Sequence, residues 1–565
     1  MVSTDQEYGA IIVGGGMSGS WVAKELCDKG VKVLMLERGR PIQHLADYPT
    51  AAQHPWENEF RYHKRAEDLK RNPIVNRCYA YNETTEHFFV KDSEDQAYIQ
   101  DRPFDWIRAY QLGGKSLLWA RQVQRWSDYD FEGPVKDNFG IDWPIRYSDL
   151  KDWYDVVENF IGVSGNKDGV DTLPDGIFQK PLEFNALEQY FKRIIEENFD
   201  DRHLIYGRAA HLTEPQEIHR QQGRGSCQHR MICERGCPFG GYFSAVSSTI
   251  PWAQRTGNLS IRPFSIVKEV VYDDSSEKAV GVNVIDAQSK EEFLFRGKTI
   301  FLNAGAINTN LILLNSKSNR FPNGLGNDSG MLGRYMMFHD YRHRVSATYN
   351  SLLDRVSAGQ TIANAYMPRF VNIDKQKEAF KRGYAIAFYT KRYFNPDTDG
   401  MGQDLLNELL KEKNLGPWTI YALGMGETLP KIENRVYLDD TDKDEYGIPL
   451  PHIDIGYDEN DALSAAHFYQ EVERMFTLAG FENIQRINTE QAPGLDIHHM
   501  GGVRMGKDKA TSILNSDNQM HLCSNVYVSD GACMTSGGTQ NPSLTFMALS
   551  ARAANHAIEH FDLAS

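Results

Sequence analysis

A chain of 565 residues, 41% hydrophobic, 24% charged and 11% aromatic, is too long for one simple core and too aromatic for a disordered protein. Its 61 Lys and Arg against 76 Asp and Glu leave a formal charge of −15, which disfavours nucleic acid and anionic membrane as partners. No run of about 18 apolar residues is present, and residues 1–8 lack the basic and apolar regions of a signal peptide, so neither a membrane span nor an export signal of its own is expected.

Residues 9–13 (GAIIV) read as a buried parallel strand, 17–29 as a helix stopped by Gly30, and 31–36 as a second buried strand, together a β-α-β unit. Residues 41–104 have no clear period and read as an irregular excursion. Helical spacing returns over 147–162, with Ser148 as the expected N-cap, and over 183–198. Strand character fills 258–305. The later runs HRVSATYN, YAIAFYTK, WTIYALGMG and NRVYLDD predict an antiparallel sheet between 342 and 456. The final 70 residues turn Gly-rich and then helical (SLTFMALSARAANHAIEH).

Gly14-Gly-Gly16-Met-Ser-Gly19 supplies G-x-G-x-x-G between the first strand and its helix. Gly14 makes the tight turn, Gly16 lets backbone N–H groups reach a pyrophosphate at the helix N-terminus, and Gly19 allows helix and strand to pack closely. Glu37 ends the second strand, where a carboxylate accepts from ribose hydroxyls. This fingerprint alone does not separate FAD from NAD.

Further segments do. Tyr110-Gln-Leu-Gly113-Gly114-Lys-Ser116-Leu-Leu-Trp119, Trp143-Pro-Ile-Arg-Tyr-Ser-Asp-Leu150, Asn434-Arg-Val-Tyr-Leu438, His498-His-Met-Gly-Gly-Val-Arg-Met-Gly506 and Asn525-Val-Tyr-Val-Ser-Asp530-Gly531, followed by Asn541-Pro-Ser-Leu-Thr545, run in one order along the chain. In that order they resemble the glucose–methanol–choline (GMC) oxidoreductases. The resemblance implies an α/β fold, α+β overall. A doubly wound FAD-binding domain, assembled from residues 1–45, 105–150, 225–340 and 495–565, interleaves with an antiparallel-sheet substrate domain from 46–104, 151–224 and 341–494. It implies His498 as catalytic base, with His499 as its rival by one position, and Asn541 as the partner holding the substrate oxygen. It further implies Gly113, Gly114 and Ser116 in a flavin cradle, Asp530 and Gly531 near the ribityl chain, and Thr545 beside the isoalloxazine ring. Arg504 reads equally as a flavin-side cation or a surface residue. The cradle has no histidine for a covalent bond, so non-covalent FAD is expected.

The seven cysteines are an odd number, which argues against a disulfide scaffold. Three of them, Cys227, Cys233 and Cys237, form C-x5-C-x3-C-P. This resembles the motif holding a [3Fe–4S] cluster in the catalytic subunits of bacterial sugar dehydrogenases of the same family. Zinc with His229 as fourth ligand, and a relic without a metal, are the competing readings. The relatives with this motif imply a small companion subunit, a cytochrome acceptor and periplasmic co-export, although cytoplasmic residence fits equally. The expected function is therefore an FAD-dependent dehydrogenase of a sugar or glycoside hydroxyl, with C3 of a glucoside in view. A hydrogen-peroxide-forming oxidase, a flavin-bearing lyase and a non-catalytic flavin subunit are the alternatives.

Overall fold

The structure, a computed structural model, describes residues 2–60, 63–95, 98–355, 365–394, 400–410 and 415–563. Its first sheet has five parallel strands in the order Cys523–Val528, Glu292–Leu302, Val2–Val13, Val33–Leu36 and Leu259–Arg262. An antiparallel hairpin, Ser265–Asp273 and Lys278–Asp286, joins it through Glu292–Leu302. The strands read as unbroken apolar runs because both faces are covered. Ile11, Val13, Leu34, Leu36, Ile300 and Leu302 enter one core, while Ala10, Ile12, Val33, Met35 and Phe301 enter another. Successive side chains of one strand thus serve opposite layers, as a doubly wound α/β sheet requires.

The second sheet is antiparallel, in the order Glu482–Asn488, His343–Tyr349, Leu415–Glu427, Tyr384–Phe394, Ala365–Met367 and Ile205–Tyr206. One of its faces packs on helices Ala186–Asn198 and Glu459–Leu478 through Phe191, Ile195, Phe468 and Val472.

The run NRVYLDD does not join the antiparallel substrate sheet. It forms Arg435–Lys443 in a third, five-stranded sheet with Met500–Gly502, Arg334–Met337, Pro449–Asp454 and Ile99–Gln100. The reason is apolar: Val436 and Ile453 belong to the first core. Ser148 does not cap its helix, which spans Tyr147–Ile161; Arg146 stands at the N-cap, and its N–H donates to Asp149 Oδ2 at 2.7 Å. That helix sends Leu150, Tyr154, Val157 and Ile161 into the first core, so a domain boundary at 150/151 cuts through it. The C-terminal helix, Ser543–His560, has the bounds expected from sequence.

Candidate active site

A cavity of about 290 Å³ runs from the glycine fingerprint to the C-terminal histidines. At its first end the helix Met17–Asp28 begins at Gly16 with neither a side-chain cap nor an acidic residue in its first turn. Its leading N–H groups are thus left for an anion. The three glycines do different work. A Cβ on Gly14 (φ +98°) would lie 2.4 Å from the Asn303 carbonyl, and one on Gly19 would lie 2.0 Å from the Gly14 carbonyl. A Cβ on Gly16 would meet nothing within 4 Å and would point into the cavity, as a pyrophosphate cradle demands. Glu37 closes this end, accepting the Gly15 N–H at 2.9 Å and the Gly39 N–H at 3.0 Å. Burial pushes its carboxyl up to about 7 against the pull of those two donors.

Gly114 and Ser116 line the cavity. Gly113 (φ +89°) sits behind them, its N–H donating to the Gly15 carbonyl at 3.0 Å and tying the cradle to the fingerprint. Ser116 donates to the Gly113 carbonyl at 2.6 Å and accepts the Ala245 N–H at 3.0 Å. Asp530 and Gly531 also line the cavity, but both Asp530 oxygens are committed to the chain. Oδ2 accepts from Gly305 N–H and the Thr309 hydroxyl at 2.8 and 2.6 Å, and Oδ1 from Ala532 N–H at 2.9 Å. Thr545 is displaced from its expected place. It is fully buried and shares a 2.8 Å hydrogen bond with the Tyr154 hydroxyl, while Ser543 and Phe546 of the same helix reach the cavity. Arg504 matches neither expectation: it is buried, stacks 3.6 Å from the Tyr335 ring and donates to the Thr511 carbonyl at 3.0 Å.

At the far end four groups form a directed chain of hydrogen bonds. His339 Nε2 lies 3.0 Å from the Gly538 carbonyl, which only accepts, so that nitrogen carries the proton. Burial holds His339 at about 4, hence neutral, so its Nδ1 is an acceptor. His498 Nδ1, 2.8 Å away, must then donate to it. That leaves His498 Nε2 bare of a proton, an acceptor for the Asn541 amide N–H 3.3 Å away. Asn541 Oδ1 is buried without a partner. The pair therefore presents a bare imidazole nitrogen and an amide to one point, which suits an alcohol O–H that donates to His498 and accepts from Asn541. His499 also borders the cavity, but its Nε2 is engaged with the Gly494 carbonyl at 3.0 Å.

Nothing in RYMMFHD marks His339 as functional, and 159 residues separate it from His498. His339, Asp496 and His498 bring possible ligand atoms within 4.8 Å of one another. A hydrogen bond already spans the two Nδ1 atoms, and Asp496 Oδ2 accepts the backbone N–H groups of His339 and His498 at 2.9 and 3.2 Å. The trio is a hydrogen-bonded frame, not a cation site. His339→Ala is expected to lower the limiting rate of flavin reduction about 10- to 100-fold with FAD content unchanged. His339→Gln, which keeps an acceptor, should restore part of it. Stopped-flow reduction checks both, and equal loss in the two variants would deny His339 this positioning role.

Cys227, Cys233 and Cys237 are all partly buried and free. Among the described residues they do not converge with His229 on one point within 4.8 Å, whereas zinc would draw sulfurs to about 3.8 Å of each other. Around them stand donors without acceptors: Arg121 Nε and Nη1 and Arg224 Nη2 are buried and unpartnered. His211 Nε2 is 3.8 Å from the Cys233 sulfur, and the Gly241 N–H is 3.4 Å from the Cys237 sulfur. Arg121 lies near Cys233 and Arg224 near Cys237, each felt as a charge by the other. Such a shell fits thiolates carrying extra negative charge, as in a cluster. Arg121 also borders the cavity and pairs with Glu234 at 3.0 Å, so one buried side chain links the two places.

Family models described as GMC oxidoreductase match residues 8–339 and 430–550. A 2-methyl-1,2-propanediol dehydrogenase of Mycolicibacterium austroafricanum is 25% identical, with 99% of this chain and 97% of that one covered. A fructose dehydrogenase large subunit of Gluconobacter japonicus is 26% identical, with 96% of each covered. A formate oxidase variant of Aspergillus oryzae, solved in a study of FAD modification, superposes with a TM-score of 0.61 at 13% identity over 99% of both chains, a likeness of fold.

Proposed function

The chain belongs to the GMC oxidoreductase family, FAD-dependent enzymes acting on CH–OH groups, and on that footing we propose that it is a dehydrogenase of a sugar or glycoside hydroxyl, with C3 of a glucoside as the carbon to test first. The carrying observation is the bare Nε2 of His498 beside Asn541 at the end of a fully directed hydrogen-bond chain. Gly14, Gly16, Glu37, Gly114 and Ser116 would hold FAD non-covalently, and when bound it supplies the hydride acceptor. His498 Nε2 takes the hydroxyl proton, and Asn541 holds the oxygen from which it leaves. The imidazolium then keeps its Nδ1 proton on the neutral His339, which stabilises the new charge without a second proton moving. Asn541 does not titrate, so the proton stays with His498.

Cys227, Cys233 and Cys237 would hold a [3Fe–4S] cluster supplying one-electron transfer to an outside acceptor. A small companion subunit and a cytochrome belong to the same proposal. The unpartnered donors of Arg121 and Arg224, and His211 Nε2 facing the Cys233 sulfur, support it. Anaerobically purified protein is expected to contain iron, sulfide and an EPR signal of the oxidised cluster that Cys233→Ser abolishes. Flavin without iron in protein never exposed to air would remove the cluster and turn the reading toward an oxidase.

A further inference from the structure

The antiparallel sheet has two unlike faces. Val345, Ala347, Ile386, Phe388, Ile420 and Ala422 point into the helix-covered core. The intervening residues share the opposite face, because residues directly across an antiparallel ladder lie on one side. Arg344 stands opposite Leu423, Tyr389 opposite Tyr421, and Ala385 opposite Met425. Met425 lines the cavity while Arg344 and Tyr389 do not, so this face adjoins the cavity through Met425.

Two tyrosines complete this wall. Tyr341, just past His339, lines the cavity and shares a hydrogen bond with Tyr389. Tyr79 is 58% exposed, yet it too borders the cavity. Both Tyr341 and Tyr389 feel the positive charge of Arg344.

Arg344 differs from the other arginines here. Arg38 and Arg108 pair with Asp95, and Arg121 pairs with Glu234. Arg344 forms no ion pair among the described residues, and its Nε is buried without an acceptor. An arginine half withdrawn from water without a counter-charge is costly, and the cost is offset when a carboxylate or phosphate takes its planar fork. Beside a protein of net charge −15, an anionic substrate needs such a local cation.

We propose that the substrate carries an anionic group, a carboxylate or a phosphate, away from the oxidised carbon, and that Arg344 receives it while Tyr79, Tyr341 and Tyr389 flank the sugar ring. This rests on the sugar reading above. The test uses FAD-loaded enzyme and three probes: methyl glucoside, methyl glucuronide and methyl glucoside 6-phosphate. Flavin reduction is followed anaerobically, and binding to the oxidised enzyme by calorimetry. One anionic probe is expected to half-saturate at about a tenfold lower concentration than the neutral glucoside. Arg344→Gln should erase that ratio and Arg344→Lys should keep part of it. A neutral probe that saturates as readily as both anionic ones, or a preference that survives Arg344→Gln, overturns the proposal. If no probe reduces the flavin, the sugar reading fails by itself. The anion site is then decided by calorimetry, where binding of an anionic probe that Arg344→Gln abolishes supports it and absence of binding overturns it.

Discussion

His498→Ala is expected to slow reduction of the flavin by substrate about 10²- to 10⁴-fold in protein that keeps its FAD. The variant removes the bare nitrogen to which the hydroxyl proton goes, and no neighbour replaces it. His499 Nε2 is held by the Gly494 carbonyl, and His339 Nε2 by that of Gly538. The same base sets the pH dependence. Burial first, then the neighbouring His339 and His499 imidazoles and Lys115, hold the His498 imidazole well below its usual 6.5. Catalysis needs the neutral form, and protonation on acidification removes it. The rate should therefore stay level as pH falls through 6.5, with its acid limb below that value. Stopped-flow reduction across pH checks both parts. An unchanged rate in the alanine variant would place the base elsewhere, and an acid limb at or above 6.5 would mean that a different group titrates.

Gly16→Val should yield folded protein with less than about a tenth of the normal flavin. What a side chain meets there decides the outcome. Gly16 has φ −78°, ordinary for any residue, and open space where its Cβ would stand. Valine costs the fold little, but its methyls enter the space where backbone must approach pyrophosphate. Gly14→Ala and Gly19→Ala are the contrast, since their Cβ atoms collide with backbone carbonyls. Those variants should lose stability as well as flavin. Absorbance at the flavin bands against far-UV circular dichroism separates the cases. A normal flavin content in Gly16→Val would move the pyrophosphate away from this turn.

The parts of the molecule legible in the sequence are those set by local periodicity. The strand, turn and helix around Gly14–Gly19, and the helix Ser543–His560, carry their signal within about 20 residues. The substrate sheet was legible as strands, since its alternation of buried Val345 with half-exposed Arg344 is a two-residue pattern. What a strand packs against was not. NRVYLDD looks the same whether its valine enters the second sheet or, as here, a third one. His498 and Asn541 came through the family resemblance. His339 came from neither source, because its role exists only once residues 339, 498 and 538 meet. Thr545 and Arg504 were misplaced for a related reason: a motif fixes position along the chain, but Tyr154 and Tyr335 fix which way those side chains turn.

The strand order of the parallel sheet has a consequence for synthesis on the ribosome. Val2–Val13 emerges first, yet its neighbour Glu292–Leu302 follows nearly 300 residues later, and that neighbour in turn awaits Cys523–Val528. At about 5–20 residues per second the first strand waits roughly half a minute to two minutes for the sheet to be completed. Throughout that interval the apolar run Ala10–Val13 has no finished layer to cover it, and His498 and Asn541 have not been made. The parallel sheet is therefore expected to close only after residues 523–528 have been made, late in synthesis.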